Sequence, residues 1–156
     1  MRHRLLLALP AVVAIAACGS SGHGSTANPN APEVSPPGDI PDNQVFVAYT
    51  KPGSGVSVKV PEGWARSTAN GAVTFTDKLN AITIKVVPSG RSGAPVHRSY
   101  LAQSKPDPVT GKTRTNAVEE WHFFHNGREL VLTLQGPKGA DNVDPWKLVT
   151  HSVTWK

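Results

Sequence analysis

The stretch "EEWHFFHNGRELVLTL", from Glu119 to Leu134, constrains the fold more than any other part of the chain. Asn126-Gly127 is a preferred pair for a two-residue type I′ turn, because both central residues of that turn need φ > 0. A loop of that length fixes the register. His125 stands opposite Arg128, Phe123 opposite Leu130, and Trp121 opposite Leu132. Side chains alternate along a strand, so Trp121, Phe123, Leu130, Leu132 and Leu134 share one face, which is the expected core side. Val118, Glu120, His122, Phe124, Glu129, Val131 and Thr133 share the other, a mixed face.

The same period of two recurs upstream. Val56, Val58 and Val60 alternate with Ser57 and Lys59, and Val73 and Phe75 alternate with Thr74 and Thr76. A turn over Asp77-Lys78-Leu79-Asn80 leads into Ile82, Ile84 and Val86, which alternate with Thr83 and Lys85. This pattern predicts a second hairpin. Helical signals are few. Asp144 is expected to cap a short helix with Pro145 at its first position and Trp146 with Val149 or Thr150 on one side. Another short helix is expected near Pro95, carrying Val96 and Tyr100. Many strands, a closing helix and no β-α alternation predict an α+β fold, an antiparallel sheet with few short helices packed on it as a sandwich. About 112 residues, from Val45 to Lys156, suffice for one domain with one core.

The residues before Val45 read differently. Arg2, His3 and Arg4 precede an apolar run from Leu5 to Ala17. This is the n-region and h-region of a secretory signal, too short for a spanning helix of about 20 residues. Ile15-Ala16-Ala17-Cys18 resembles a bacterial lipobox, in which the cysteine thiol receives a diacylglyceryl group and the peptidase cuts ahead of it. Buried acyl chains contribute about 0.8 kcal/mol per methylene. Cys18 is the single cysteine of the chain, so the mature domain has no disulfide, thiol nucleophile or thiolate metal site. From Gly19 to Asp42 the chain is rich in Gly, Ser and Pro and nearly free of large apolar residues. It is expected to be a flexible linker with a reach of roughly 25–30 Å. The expected organisation is a signal peptide over 1–17, the lipidated cysteine and linker over 18–44, and a domain over 45–156.

Three stretches carry a family resemblance: "VSVKVPEGWAR" (56–66), "FFHNGRELVLTL" (123–134) and "GADNVDPWKLVTHSVTW" (139–155). They resemble small secreted actinobacterial lipoproteins with a PsbP-like sandwich, the LpqN/LpqT-type group. The matching positions are Pro61, Gly63 and Trp64 in a Pro-x-Gly-Trp turn, and Ser152 and Trp155 in a closing Ser-x-x-Trp. The resemblance implies a longer helix and a further strand ahead of the Asn-Gly hairpin, where Arg91 to Pro106 leaves only about sixteen residues. One sheet edge is thus expected to be missing or replaced by a loop, and an uncovered edge is a place to pair with another chain. Related domains serve as binding or accessory modules with unrelated partners.

The residues that could carry chemistry do not converge. His122 and His125 alternate on a strand and point to opposite faces, so the pair cannot chelate a metal; His97 and His151 are lone. "TGKT" (110–113) mimics the end of a phosphate loop, but the earlier glycine is replaced by Pro106, and a surface turn with Gly111 at φ > 0 is expected. Gly53-Ser54-Gly55 lacks the spacing of a nucleophile elbow. Glu119 and Glu120 face opposite ways and are no glycosidase pair. "DNVD" (141–144) lacks the calcium-loop spacing. Trp64, Trp121, Trp146 and Trp155 are expected as core anchors, with room for one at a binding groove.

Formal net charge is +5, falling to +3 once Arg2 and Arg4 leave with the signal, and the basic residues are scattered. No basic stripe with interleaved aromatics marks a nucleic-acid surface. The expectation is therefore a lipid-anchored protein on the extracytoplasmic face of the cell membrane, with no cofactor and no catalytic set. It would act as a binding or accessory module for an envelope protein. The alternative is a carrier of a small apolar or lipidic ligand held between sheet and helix, in a pocket lined by Phe75, Ile84 and Trp146.

Overall fold

The computed structural model describes residues 37–156. The signal segment, Cys18 and most of the expected linker lie outside the described residues. Nine strands and one helix follow in order: β1 (Phe46–Thr50), β2 (Val56–Pro61), β3 (Ala65–Ala69), β4 (Ala72–Asp77), β5 (Asn80–Pro88), β6 (Val96–Gln103), β7 (Thr115–His125), β8 (Arg128–Pro137), α1 (Val143–His151) and β9 (Thr154–Trp155). The strands form two antiparallel sheets. One is three-stranded, β1-β2-β9, and the other six-stranded, β3-β4-β5-β8-β7-β6.

The Asn-Gly hairpin organises the large sheet. Asn126 and Gly127 have φ of 45° and 72°, and β7 pairs with β8 in the expected register, with His125 opposite Arg128 and Trp121 opposite Leu132. Leu130, Leu132 and Leu134 are fully buried, in register with Ile82, Ile84 and Val86 of β5. Val73 and Phe75 of β4 continue that face. Val56, Val58 and Val60 of β2 enter the same cluster from the small sheet, and Trp146 and Val149 enter it from α1. One apolar core is thus shared between the inner face of the large sheet, the small sheet and the helix. Tyr49 of β1 meets Phe75 edge-on at 5.0 Å, which ties the two sheets together.

Four details differ from the sequence expectation. Residues 96–103 form strand β6, not a helix carrying Val96 and Tyr100. Eight consecutive residues pair with β7, from Val96 opposite His122 to Gln103 opposite Thr115, and this ladder overrides the weak four-residue apolar spacing. The sheet edge expected to be missing or looped is therefore a strand. The helix begins at Val143 with Asn142 as its cap residue, so Asp144 and Pro145 are its second and third positions. Pro145 is tolerated there because the first four helical N–H groups have no intrahelical acceptor. Asp144 places a negative charge in the first turn.

The fourth detail is the start of the folded unit, which reaches back into the stretch assigned to the linker. Ile40 is 4% exposed and belongs to the core. Its N–H donates to Asn142 Oδ1 at 2.8 Å. Asn142 Nδ2 donates to Gly38 C=O at 3.0 Å and to Asn80 Oδ1 at 3.1 Å, and Asn80 Nδ2 donates to the same Gly38 carbonyl at 2.9 Å. This buried polar knot joins the segment before β1, the start of β5 and the start of α1. Gly136 of β8 lies beneath it. A Cβ there would stand 2.5 Å from Asn80 Oδ1 and 2.8 Å from Asn142 Nδ2, so the close approach requires glycine.

Candidate functional site

Strands β3 and β6 are the edges of the large sheet. Strand β3 is five residues of small and polar side chains plus Arg66. Strand β6 is eight residues long, and neither of its faces is fully covered. Tyr100 on the outer face is 46% exposed and Leu101 on the inner face 56% exposed. A long edge with unpaired backbone groups and large apolar side chains is a template for another strand.

Next to that edge the inner face carries an aromatic strip. Register places His97, Ser99 and Leu101 of β6 beside Trp121, Glu119 and Ala117 of β7. The His97 ring stacks on Trp121 at 4.2 Å with a 16° interplanar angle, and Trp121 stacks on Phe123 at 6.1 Å. Glu119 locks the strip, since its Oε2 accepts from Trp121 Nε1 at 3.1 Å and lies 3.4 Å from His97 Nε2. Trp121 and Phe123 are half-buried and pack against the margin of the core, while His97 and Ser99 of β6 are exposed. The strip is a firm, partly apolar shelf beside an open edge.

The outer face carries a charge cluster. His122 Nδ1 is 2.6 Å from Glu129 Oε1, and its Nε2 is 2.9 Å from Glu120 Oε1. Only an imidazolium donates from both ring nitrogens. The hydrogen bond that His122 donates to Glu129 is the main cause that raises the His122 pKa above its ordinary value, helped by Glu120 and opposed by burial. The same bond lowers the Glu129 pKa, with help from Ser89 and Arg91. Arg91 also lies 4.9 Å over the Phe124 ring. The cluster pins a part of the mixed face that hydrophobic pairing does not.

The remaining motifs find structural roles. His125 is on the inner face, stacked on Trp155 at 5.3 Å, so the two histidines do face opposite ways. Among the described residues no group of three His, Cys, Asp or Glu side chains is placed to hold a metal ion. The "TGKT" stretch is a surface turn. Asp107 Oδ1 accepts from the N–H groups of Val109 and Thr110 and from the Thr110 hydroxyl, and Gly111 has φ of 67°. Those bonds, the Thr110 N–H first, hold the Asp107 carboxyl below its usual pKa. Ser54 Oγ donates to Lys51 C=O, which braces a loop. Phe75, Ile84 and Trp146 are members of the buried core, against whose margin Trp121 and Phe123 of the strip pack. Trp64 packs against that core just after the turn at Gly63, where φ is 82°. Ser152 Oγ donates to Val149 C=O and accepts from Lys59 N–H, so the closing Ser-x-x-Trp stitches the helix end to β2.

The aromatic strip as a unit, and the polar knot, escape sequence reading. His97, expected to be lone, meets Trp121 only through the β6–β7 ladder. The register of β7 alone could not reveal its stacking partner.

No family model and no curated protein matches the chain. Among solved structures, a crystal structure from Bacteroides thetaiotaomicron VPI-5482 is similar, with a TM-score of 0.53 and 12% identity over 70% of this chain. The match covers 48% of that protein, so this chain spans about half its length. At such identity the likeness is one of fold. Together with the two sheets and short helix it supports an α+β architecture built on antiparallel strands. Among the described residues no helix is long and apolar enough to cross a membrane.

Proposed function

We propose that the chain is a lipoprotein anchored through acyl chains on Cys18 to the extracytoplasmic face of the cell membrane. On this reading its domain is a PsbP-like sandwich that serves as a non-catalytic binding or accessory module for an envelope protein. The observation that carries the reading is strand β6: eight residues of open edge, with Tyr100 and Leu101 exposed, beside the shelf of His97, Trp121 and Phe123. An extended partner segment adding to β6 would gain main-chain hydrogen bonds. Every second side chain of it would fall on the shelf, which supplies selectivity. The placement of Pro61, Gly63, Trp64, Ser152 and Trp155 at a strand end, a turn and a helix-to-sheet stitch supports the PsbP-like assignment. The N-terminal basic segment, apolar run and Cys18 support the tether.

The test is crosslinking in intact envelopes of native cells, followed by mass spectrometry of the affinity-purified protein. The expected result is one membrane protein in near-stoichiometric amount, lost in Cys18→Ala and strongly reduced in Leu101→Lys. Leu101 is exposed, so that substitution should change stability by no more than about 0.5 kcal/mol. Recovery of the same partners from wild type and Leu101→Lys would reject β6 as the docking edge.

A further inference from the structure

A second site lies at the opposite end of the inner face from the knot. The loop between β1 and β2 meets the end of β5 and the β7–β8 turn around a cleft of about 270 Å³. Lys51, Ser54, Val86, Pro88, Gly127 and Arg128 line it. The volume falls just below the usual small-molecule range of about 300–1,000 Å³, so the cleft fits a small ligand or one group of a larger one.

The cleft is built rather than incidental. Lys51 N–H donates to Val56 C=O at 2.9 Å, and Ser54 Oγ both donates to Lys51 C=O and accepts from Val56 N–H. Gly53 and Gly55, with φ of 71° and 67°, let the loop turn. Arg128 holds the other wall. Its Nη1 donates to Ser54 C=O, and its guanidinium lies 5.4 Å over the Trp155 ring. Ser89 N–H donates to Gly127 C=O at 2.9 Å, which fixes the far rim.

The charge is one-sided. Lys51 and Arg128 are both half-buried, no acidic residue lines the cleft, and among the described residues neither cation is in an ion pair. Glu129, next in sequence to Arg128, is turned to the outer face and taken by His122. Arg128 uses one of its five N–H donors on Ser54, which leaves a fork suited to an oxyanion. Two cationic residues lining one space suit a phosphate, which bears one negative charge as a diester and about one and a half to two as a monoester near neutral pH. Val86 and Pro88 supply an apolar wall for the carbon skeleton attached to it.

We propose that this cleft binds the phosphate group of a small amphipathic molecule, with Lys51 and Arg128 as its ligands. The site is independent of β6 and of the partner reading. The phosphate comes either from a lipid headgroup or from a soluble phosphate ester, and the test separates the two.

The full chain carrying Cys18→Ala is titrated, with amide and Arg Nε–H resonances followed by NMR, against inorganic phosphate, glycerol 3-phosphate and monomeric dihexanoyl phosphatidylglycerol. The expected result is saturable shifts at Gly53, Ser54, Gly127 and Arg128 Nε–H with at least one phosphate. Sodium chloride at equal ionic strength leaves them in place. Lys51→Gln, which does not touch the loop-bracing bonds, weakens binding about tenfold or more, as expected for loss of a charge-assisted contact. Lys59→Gln, on β2 away from the cleft, leaves it unchanged. Tighter binding of phosphatidylglycerol assigns a lipid headgroup, and tighter binding of glycerol 3-phosphate assigns a soluble ester. Absence of saturable shifts at millimolar concentration with all three, or equal affinity of Lys51→Gln and wild type, overturns the proposal.

Discussion

Replacing Asn142 by alanine removes three buried hydrogen bonds at once, and the cost can be worked bond by bond. Ile40 N–H loses its acceptor in a buried position, which costs about 1–3 kcal/mol. Asn80 Oδ1 loses its donor, for about 1 kcal/mol more. Gly38 C=O keeps Asn80 Nδ2, so its loss is small. The space left by the truncated side chain adds a little. The sum is about 2–4 kcal/mol, a large share of the roughly 5–15 kcal/mol that holds a domain of this size together. At a urea slope of about 1.5 kcal/mol per M the unfolding midpoint falls by about 2 M. Asn80→Ala alone and the double variant complete a cycle, in which the two residues should couple by about 1 kcal/mol or more because they share one bond and one acceptor. Hydrogen exchange adds a local readout. The Ile40 amide is protected in the wild type and exchanges freely in Asn142→Ala. A midpoint shift under about 0.5 M would refute the reasoning, since an orphaned buried N–H cannot cost so little. An unprotected wild-type Ile40 amide would show that the segment before β1 is not part of the fold.

Other outcomes follow from the same structure. Gly136→Ala pushes a methyl into the knot from below and should destabilise by about 3 kcal/mol in the same urea assay, near the upper end for overpacking. Gly127→Ala at φ of 72° should cost about 1–2 kcal/mol by thermal unfolding without moving the hairpin register. The His122 cluster makes stability depend on pH with a definite sign. The His122 pKa is raised, so its contribution is fully present below its unfolded value near 6.5 and fades as pH rises through the folded value. The Glu129 pKa is lowered, so its contribution is present above its unfolded value near 4.5 and fades as pH falls through the folded value. The pair therefore helps most between those two values. The Tm gap between wild type and His122→Gln should be larger at pH 5.5 than at pH 8.5, and an equal gap at both would remove the imidazolium from the account.

How much of this was legible depended on whether the signal was local. The hairpin of β7 and β8 was, because Asn126-Gly127 and five alternating large apolar residues agree on one register. Strand β2 and the β4–β5 hairpin were legible for the same reason. Strand β3 carries no large apolar side chain and is exposed throughout, so the period-two pattern has nothing to show. Its only local mark is Asn70-Gly71, whose φ values of 49° and 73° repeat those of the later turn. Strand β6 was misread because Val96 and Tyr100 sit four apart, while what holds it extended is a ladder to β7 that no local pattern encodes. Asn142, not Asp144, stands at the helix cap, and its side chain serves the knot rather than the helix N–H groups. Its partners Gly38, Ile40 and Asn80 stand 104, 102 and 62 residues away in sequence. The His122 cluster lies between these cases. Once the hairpin register is known, Glu120 and Glu129 are neighbours of His122 on the same face.

The most direct test of the docking account is photo-crosslinking in intact native cells, with a photoreactive amino acid placed in turn at Leu101 on β6, Arg66 on the opposite edge and Val109 on an exposed loop. The account predicts one discrete adduct from position 101, absent from positions 66 and 109 and lost when Cys18 is changed to alanine. An adduct pattern that is the same at all three positions, or a position 101 that gives none, would contradict it.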